Sequence, residues 1–393
     1  MKNTDTAKKS ERAVLIGIIT PKLKPLQAAE HLEELRRLAE TAGAEVVEIF
    51  TQRVQSFNPA TLIGEGKIEE IKTALETYET KMVIFDEDLS GSQVRNLEIR
   101  LPGVKVLDRT GIILDIFAKH AATAESRLMV EVAQLQYLMP RLTRAWTHLS
   151  RQAGTGGTPG IGMRGPGETQ LETDRRLVRN RIQELKRKLK KIEKARALQA
   201  DNRNDIFHVG IVGYTNAGKS TLTNRLTGSD VYVEDKLFAT LDSTTRKLYL
   251  GNGESIILSD TVGFIRKLPH HLVETFKSTL GVAAHANLIL EVVDASAPDY
   301  AEHLEVTHLV LNGIIDKEIP RLRAFNKVEK LDQQARNELL ENYPEAIQIS
   351  AKENVGMEIL RKRLMQELER WKEKRISDKV KESETAEGWT NEE

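Results

Sequence analysis

Eight consecutive residues are of the right types, at the right spacing, to cradle a polyphosphate. Gly213-Tyr214-Thr215-Asn216-Ala217-Gly218-Lys219-Ser220 fits the pattern G-x-x-x-x-G-K-[ST]. Gly213 and Gly218 let the backbone curl so that its N–H groups face anionic oxygens at a helix N-terminus. Lys219 would then reach the β- and γ-phosphates, and Ser220 would place its hydroxyl on Mg2+. A glycine-rich turn with a chance lysine has the same composition, but here the context is also present. The apolar run His208 to Val212 reads as a buried strand, and Ser220 to Leu226 reads as the start of a helix.

Further candidates follow in chain order. Ile256 to Asp260 is a strand ending in an acid, and Thr261-Val262-Gly263 comes next. A carboxylate there suits metal binding, often through water, and the glycine N–H suits contact with a γ-phosphate. Phe238-Ala239-Thr240-Leu241-Asp242 precedes the strand Lys247 to Leu250. A threonine in this region could give the metal a second hydroxyl, and on position alone Thr244 and Thr245 compete with Thr240. Two more buried strands, Asn287 to Val293 and Arg321 to Phe325, follow. The second leads into Asn326-Lys327-Val328-Glu329, and the strand Ala346 to Ile349 leads into Ser350-Ala351-Lys352.

These residues need a scaffold, and 393 residues suggest two or three domains. Alternating strand and helix patterns between residues 13 and 108 imply a small parallel α/β domain: strands at 13–20, 45–50, 82–85 and 104–107, helices at 26–42, 67–78 and 92–100. Within it, Ile63-Gly64-Glu65-Gly66-Lys67 resembles the end of a phosphate loop but lacks the full spacing and the Ser or Thr after Lys67. It reads better as a helix N-terminus.

From 109 to 200 the pattern is helical. Leu128, Val132, Leu135, Leu138, Leu142, Ala145 and Leu149 form a seam interrupted by Pro140. A glycine-rich loop at 153–167 separates this seam from a second helix, so an antiparallel helical hairpin is expected. Between Arg175 and Arg196 that second helix carries eleven Lys or Arg against Glu184 and Glu193. Such a run is usually a solvated face, but in a chain of zero net charge it is also a candidate contact for a phosphate backbone. Residues 207–372 form the nucleotide domain. Residues 1–12 are expected to be a flexible tail and 376–393 a disordered acidic one.

The chain has no cysteine, so disulfides and thiolate metal sites are excluded. The polar N-terminus lacks a signal-peptide core, and apolar runs such as Ala13 to Ile19 fall far short of the ~20 residues that span a bilayer. We therefore expect a cytoplasmic protein without integral membrane insertion, with peripheral membrane attachment as an alternative; a monomer is a separate expectation.

Together the phosphate loop, Asp260 to Gly263, Asn326 to Glu329 and Ser350 to Lys352 resemble a translation-factor-like GTPase. Three stretches sharpen the resemblance to the HflX family: Arg164-Gly-Pro-Gly-Glu-Thr-Gln-Leu-Glu-Thr-Asp-Arg-Arg176, Thr147 to Gln152, and Phe238 to Asp242. The likeness extends over residues 13 to 372. It implies an α/β phosphate-loop GTPase domain with a mostly parallel sheet, preceded by an N-terminal α/β domain and a helical hairpin that reaches rRNA. It also implies binding to the large ribosomal subunit and splitting of stalled or hibernating ribosomes under stress. Carried over residue by residue, Ser220 and Thr240 are the Mg2+ ligands. Gly213 to Ser220, Phe238 to Asp242 and Asp260 to Gly263 make the phosphate and switch contacts of GTP or GDP. Asn326 to Glu329 and Ser350 to Lys352 make the base contacts. Lys219, Thr240 and Gly263 are the catalytic set.

The sequence departs from the family pattern at the base. The guanine motif ends in Glu329, where the family usually has Asp, which keeps the carboxylate but adds a methylene and leaves room for ATP. The short stretch after the last helical pattern leads us to expect no further C-terminal domain of the kind that some members carry. In addition, Phe264 follows Gly263, and a phenyl ring cannot orient an attacking water as a glutamine would. Slow intrinsic hydrolysis, completed by a partner, is the expectation. The competing readings are a nucleotide-driven RNA remodeller and an RNA-binding scaffold with incidental hydrolysis.

Overall fold

The computed structural model describes residues 11–21, 23–142, 170–201, 206–228, 236–276, 283–315 and 318–388. It forms two compact units, Met1–Ile192 and Glu193–Glu393. The glycine-rich loop 153–167, the stretch Thr147 to Gln152 and the first part of the 164–176 signature lie outside the described residues.

In the first unit, β1 (Glu11–Ile19), β2 (Ala44–Arg53), β3 (Met82–Phe85) and β4 (Lys105–Asp108) make a parallel sheet in the order β2-β1-β3-β4. Val14, Ile16, Val83 and Phe85 are buried, as strands of a covered parallel sheet require. Helix α1 (Pro25–Ala42) starts on a proline and stops at Gly43, whose φ of 93° is readily adopted by glycine. Helices α2 (Glu65–Thr77), α3 (Gly91–Arg100) and α4 (Arg109–His120) follow. Arg109 is buried and ion-paired with Glu34 and, at 2.9 Å, with Asp86.

The segment Ile63 to Lys67 is a helix start, as its composition suggested. Gly64 is the extended cap of α2 and its N–H donates to Gln52 Oε1 at 3.1 Å, while Lys67 pairs with Glu70. The C-terminal ends of β3 and β4, where an α/β sheet would hold a ligand, are occupied by side chains. Asp108 accepts from Tyr137 Oη at 2.7 Å and from Arg141 Nη2 at 2.7 Å.

Helix α5 (Ala124–Leu138) gives way to a 3₁₀ turn, Met139–Arg141, at Pro140. The apolar seam is interrupted at Pro140, as expected, because proline lacks the N–H and its ring clashes with the preceding turn. Helix α6 (Gln170–Asp201) buries Ile182, Leu185 and Leu189 and ties to α5 through Arg181 and Glu131, 2.8 Å apart.

The second unit is built on a six-stranded sheet in the order β10-β9-β8-β5-β7-β6. Its strands are β5 (His208–Val212), β6 (Thr244–Gly251), β7 (Glu254–Asp260), β8 (Leu288–Asp294), β9 (Arg321–Asn326) and β10 (Ile347–Gln348). All pair in parallel except β6, which runs antiparallel to β7 at the edge. Helices α7 (Lys219–Thr227), α8 (His270–Thr275), α9 (Tyr300–Asn312), α10 (Gln333–Asn342) and α11 (Met357–Gly388) complete it. Val209, Ile211, Leu258, Leu290 and Leu360 share one buried cluster.

The last helix corrects an expectation. A disordered tail was anticipated from residue 376, yet α11 runs 32 residues to Gly388. The tail's Lys and Glu residues are good helix formers, and the helix is already anchored at Trp371, whose ring lies 5.5 Å from that of Phe207. Among the described residues no helix is long and apolar enough to cross a membrane.

Candidate nucleotide site

The parallel strands β5, β7, β8 and β9 all end on one side of the second unit, the side on which an α/β sheet offers its ligand crevice. The loop between β5 and α7 lies there. Gly213, with φ +150°, has no room for a Cβ because the Val292 carbonyl oxygen occupies that space. Gly218, with φ +89°, is crowded in the same way by the Asn326 amide. Lys219 is buried, and its Nζ donates to the carbonyls of Gly213 at 3.2 Å and Tyr214 at 2.8 Å. Burial pulls this ammonium down to about 8, against the opposing charge of Asp260. A polyphosphate beside it would restore the charged form.

Three oxygen donors converge next to the loop. Ser220 Oγ donates to Asp260 Oδ2 at 2.7 Å and stands 2.8 Å from Thr240 Oγ1. Burial pushes the Asp260 carboxyl up, and its Oδ1 is buried without a hydrogen-bond partner among the described residues. Two hydroxyls and an unsatisfied carboxylate oxygen suit a hard divalent cation such as Mg2+. Ser220 and Thr240 would hold it directly, with Asp260 behind them. The competition among threonines is decided by placement. Thr244 and Thr245 lie in β6, where Thr245 Oγ1 is 3.0 Å from Ser259 Oγ, while Thr240 alone of the three is brought to Ser220. Phe238 and Leu241 are buried and anchor the loop that presents Thr240, and Ala239 is exposed. Asp242 is half-buried beside them.

Gly263 abuts the phosphate loop, since a Cβ there would stand 2.9 Å from Lys219 Nζ. A pocket lined by Thr215, Asn216, Gly218, Lys219, Ser220, Phe238, Ala239, Thr240, Thr261 and Gly263 holds this half of the site together. Val262 and Ala217 are buried beneath it.

The other half is organised by Asn326. Its Nδ2 donates to Ala217 O at 2.9 Å, and its Oδ1 accepts from Ala351 N at 3.0 Å. Lys327 takes a left-handed φ of 64° and pairs with Asp294 Oδ2 at 2.7 Å. Val328 and Ser350 are buried, whereas Lys352 is exposed. Glu329 Oε2 is buried without a hydrogen-bond partner among the described residues. An acceptor in that state fits the N1–H and 2-amino donors of guanine. Glu329→Gln is therefore expected to lower GTP affinity about 100-fold, the worth of one or two charge-assisted hydrogen bonds, while leaving ATP affinity nearly unchanged. Equilibrium titration with both nucleotides measures this.

Sequence reading missed several positioning residues. Arg225 donates to the carbonyls of Ala351 at 3.0 Å and Lys352 at 2.9 Å, pinning the last loop to α7. Asp294 carried a signal that could have found it, an acid at the end of a buried strand. Arg225 carried none.

Fold and site together are those of a phosphate-loop GTPase. Comparison with known proteins agrees. Residues 29–118 match the family model described as GTP-binding GTPase N-terminal, 120–203 the GTP-binding GTPase middle region, and 208–327 the 50S ribosome-binding GTPase. The chain is 50% identical over 372 residues to GTPase HflX of Caldanaerobacter subterraneus subsp. tengcongensis, covering 93% of this chain and 82% of that one. It is 46% identical over 353 residues to GTPase HflX of Escherichia coli K12, covering 88% and 80%. Among solved structures, the SsGBP and GDP complex superposes with a TM-score of 0.52 at 27% identity, covering 91% of this chain and 98% of that one. This chain belongs to the HflX family of GTPases. It binds GTP and GDP and hydrolyses GTP.

Proposed function

We propose that this GTPase is a switch completed by the large ribosomal subunit, and that it dissociates or rescues stalled or hibernating ribosomes under stress. The observation that carries the reading is helix α6. Lys186, Arg187, Lys190, Lys191 and Lys194 are all exposed on it, opposite the buried Ile182, Leu185 and Leu189. Such a face suits the rRNA backbone, where neutralising phosphates releases counterions. The 50S ribosome-binding description of the family matched by residues 208–327 supports the same partner. A cytoplasmic site of action and a monomeric state go with it.

In this reading Lys219 holds the β- and γ-phosphates and Gly263 N–H meets the γ-phosphate. Ser220 and Thr240 hold Mg2+, which when bound neutralises charge on the phosphate oxygens. Asn326, Lys327 and Glu329, with Ser350 to Lys352, read the base. The attacking water lacks a side chain to orient it at Phe264, whose ring is 1% exposed and packed into the protein. Hydrolysis by the isolated chain is accordingly slow, and docking on the ribosome supplies the missing order.

The test is phosphate release from GTP and from ATP, with and without purified large subunits, at near-physiological salt. Stimulation of about tenfold or more, with GTP alone and weakening as salt rises, is expected. No stimulation, or equal turnover of ATP, overturns the ribosome-gated switch in favour of an RNA remodeller or a scaffold.

A further inference from the structure

We propose that Tyr214, His303, Asp299 and Arg266 form a closed latch between the phosphate loop, α9 and the segment after Gly263, in which His303 and Asp299 are positioning residues for GTP hydrolysis. The inference rests on the hydrolytic activity and not on the identity of the partner.

The segment Gly263 to Arg266 is tied to the phosphate loop by three hydrogen bonds. Phe264 N–H donates to Gly213 O at 3.1 Å, and Thr215 N–H donates to Phe264 O at 2.7 Å. The third runs from Arg266 N–H to the Tyr214 hydroxyl oxygen at 2.7 Å. That hydroxyl is held by its ring, which stacks on His303 with centroids 3.7 Å apart and planes 13° from parallel. His303 Nε2 lies 3.1 Å from Asp299 Oδ2. Asp299 Oδ2 also receives Arg266 Nη1 at 3.0 Å, with Glu302 Oε2 3.5 Å from the same nitrogen. The contacts thus return to the residue whose backbone the Tyr214 hydroxyl holds.

Buried ion pairs often do no more than hold a fold together. One feature sets this one apart: its members, with the Arg266 and Asp299 side chains only 5% and 11% exposed, join the phosphate loop to a residue three positions from Gly263. The consequence for chemistry follows from Phe264. With no side chain there to orient water, backbone placement around Gly263 carries the geometry, and a displacement of ~1 Å can cost on the order of 100-fold in rate.

The experiment uses the full chain and four variants: Tyr214→Phe, which keeps the stack and removes the hydroxyl; Asp299→Asn; His303→Ala; and His303→Phe, which restores a stacking ring. The readouts are kcat and KM for GTP, and hydrogen exchange of the backbone amides from 263 to 267. Tyr214→Phe, Asp299→Asn and His303→Ala are expected to lower kcat about tenfold with KM within about twofold, and to speed exchange at Phe264 and Arg266 about tenfold. Amides of β7 keep their protection, and His303→Phe recovers at least about half of the lost kcat. Unchanged kcat and unchanged exchange in folded variants overturn the latch. So does faster exchange spread over β5 and β7, which marks lost stability, or a rise in KM alone, which marks lost binding. The exchange readout needs no ribosome, so a missing ribosomal stimulation would sink that reading and leave this one standing.

Discussion

Lys219→Ala is expected to lower kcat/KM for GTP by about 1,000-fold, the scale at which one preorganised charge on a transferring phosphoryl group acts. The size follows from burial. The Nζ sits between the Gly213 and Tyr214 carbonyls, away from water, with Gly263 on its other side. There a charge would meet phosphate at low dielectric. The same burial makes a second result testable. Desolvation already pulls this ammonium down to about 8, so the free protein gains little from it. The variant should therefore unfold at the same temperature as the wild type or slightly above it. Steady-state kinetics and calorimetry on one preparation decide the matter. A variant that loses activity and stability together would mean that Lys219 acts as a strut for the loop.

Gly213→Ala should fail in the opposite way. Its φ of +150° is strained for any other residue, and the Val292 carbonyl fills the space a Cβ needs. Neither backbone can yield, because Val292 lies in the sheet between β5 and β9. A cost of about 3 kcal/mol or more follows from strain and overpacking together. In a domain of this size that lowers the melting temperature by roughly 10 °C, and nucleotide affinity falls with it. Gly228→Ala separates the two causes. Gly228 has φ +66° but nothing within 4 Å of a Cβ, so only the conformational penalty of about 1 kcal/mol remains. Equal melting temperatures for the two variants would show that the Val292 contact is slack.

The contrast between these residues also marks what a sequence can disclose. The phosphate loop and Asp260 to Gly263 were legible because spacing along one strand–turn–helix unit is their geometry. The alternation of strands and helices conveyed the parallel sheet of the first unit, since periodicity reports burial directly, whereas the mostly parallel sheet of the second came from the family resemblance. On position alone Thr240 could not be chosen over Thr244 and Thr245; the family resemblance singled it out, and the fold brings it back onto Ser220, 20 residues away. His303 and Asp299 were invisible for the same reason. A histidine on a helix gives no sign that it will stack on a tyrosine in the phosphate loop. The end of α11 was misjudged because charge and low hydropathy do not distinguish a solvated helix from a coil once an anchored helix can propagate into it.

Asn326 has a consequence for how ligands of different length are graded. One side chain grips the backbone of the phosphate loop at Ala217 and that of the base loop at Ala351. The two half-sites therefore share a single rigid spacer, and a ligand long enough to reach both gains a chelate effect, because ordering one end pre-pays the second. Guanosine or pyrophosphate alone must bind without that gain. Removing the spacer amide would weaken the whole nucleotide far more than either fragment, a signature that pyrophosphate and guanosine titrations can read without any turnover.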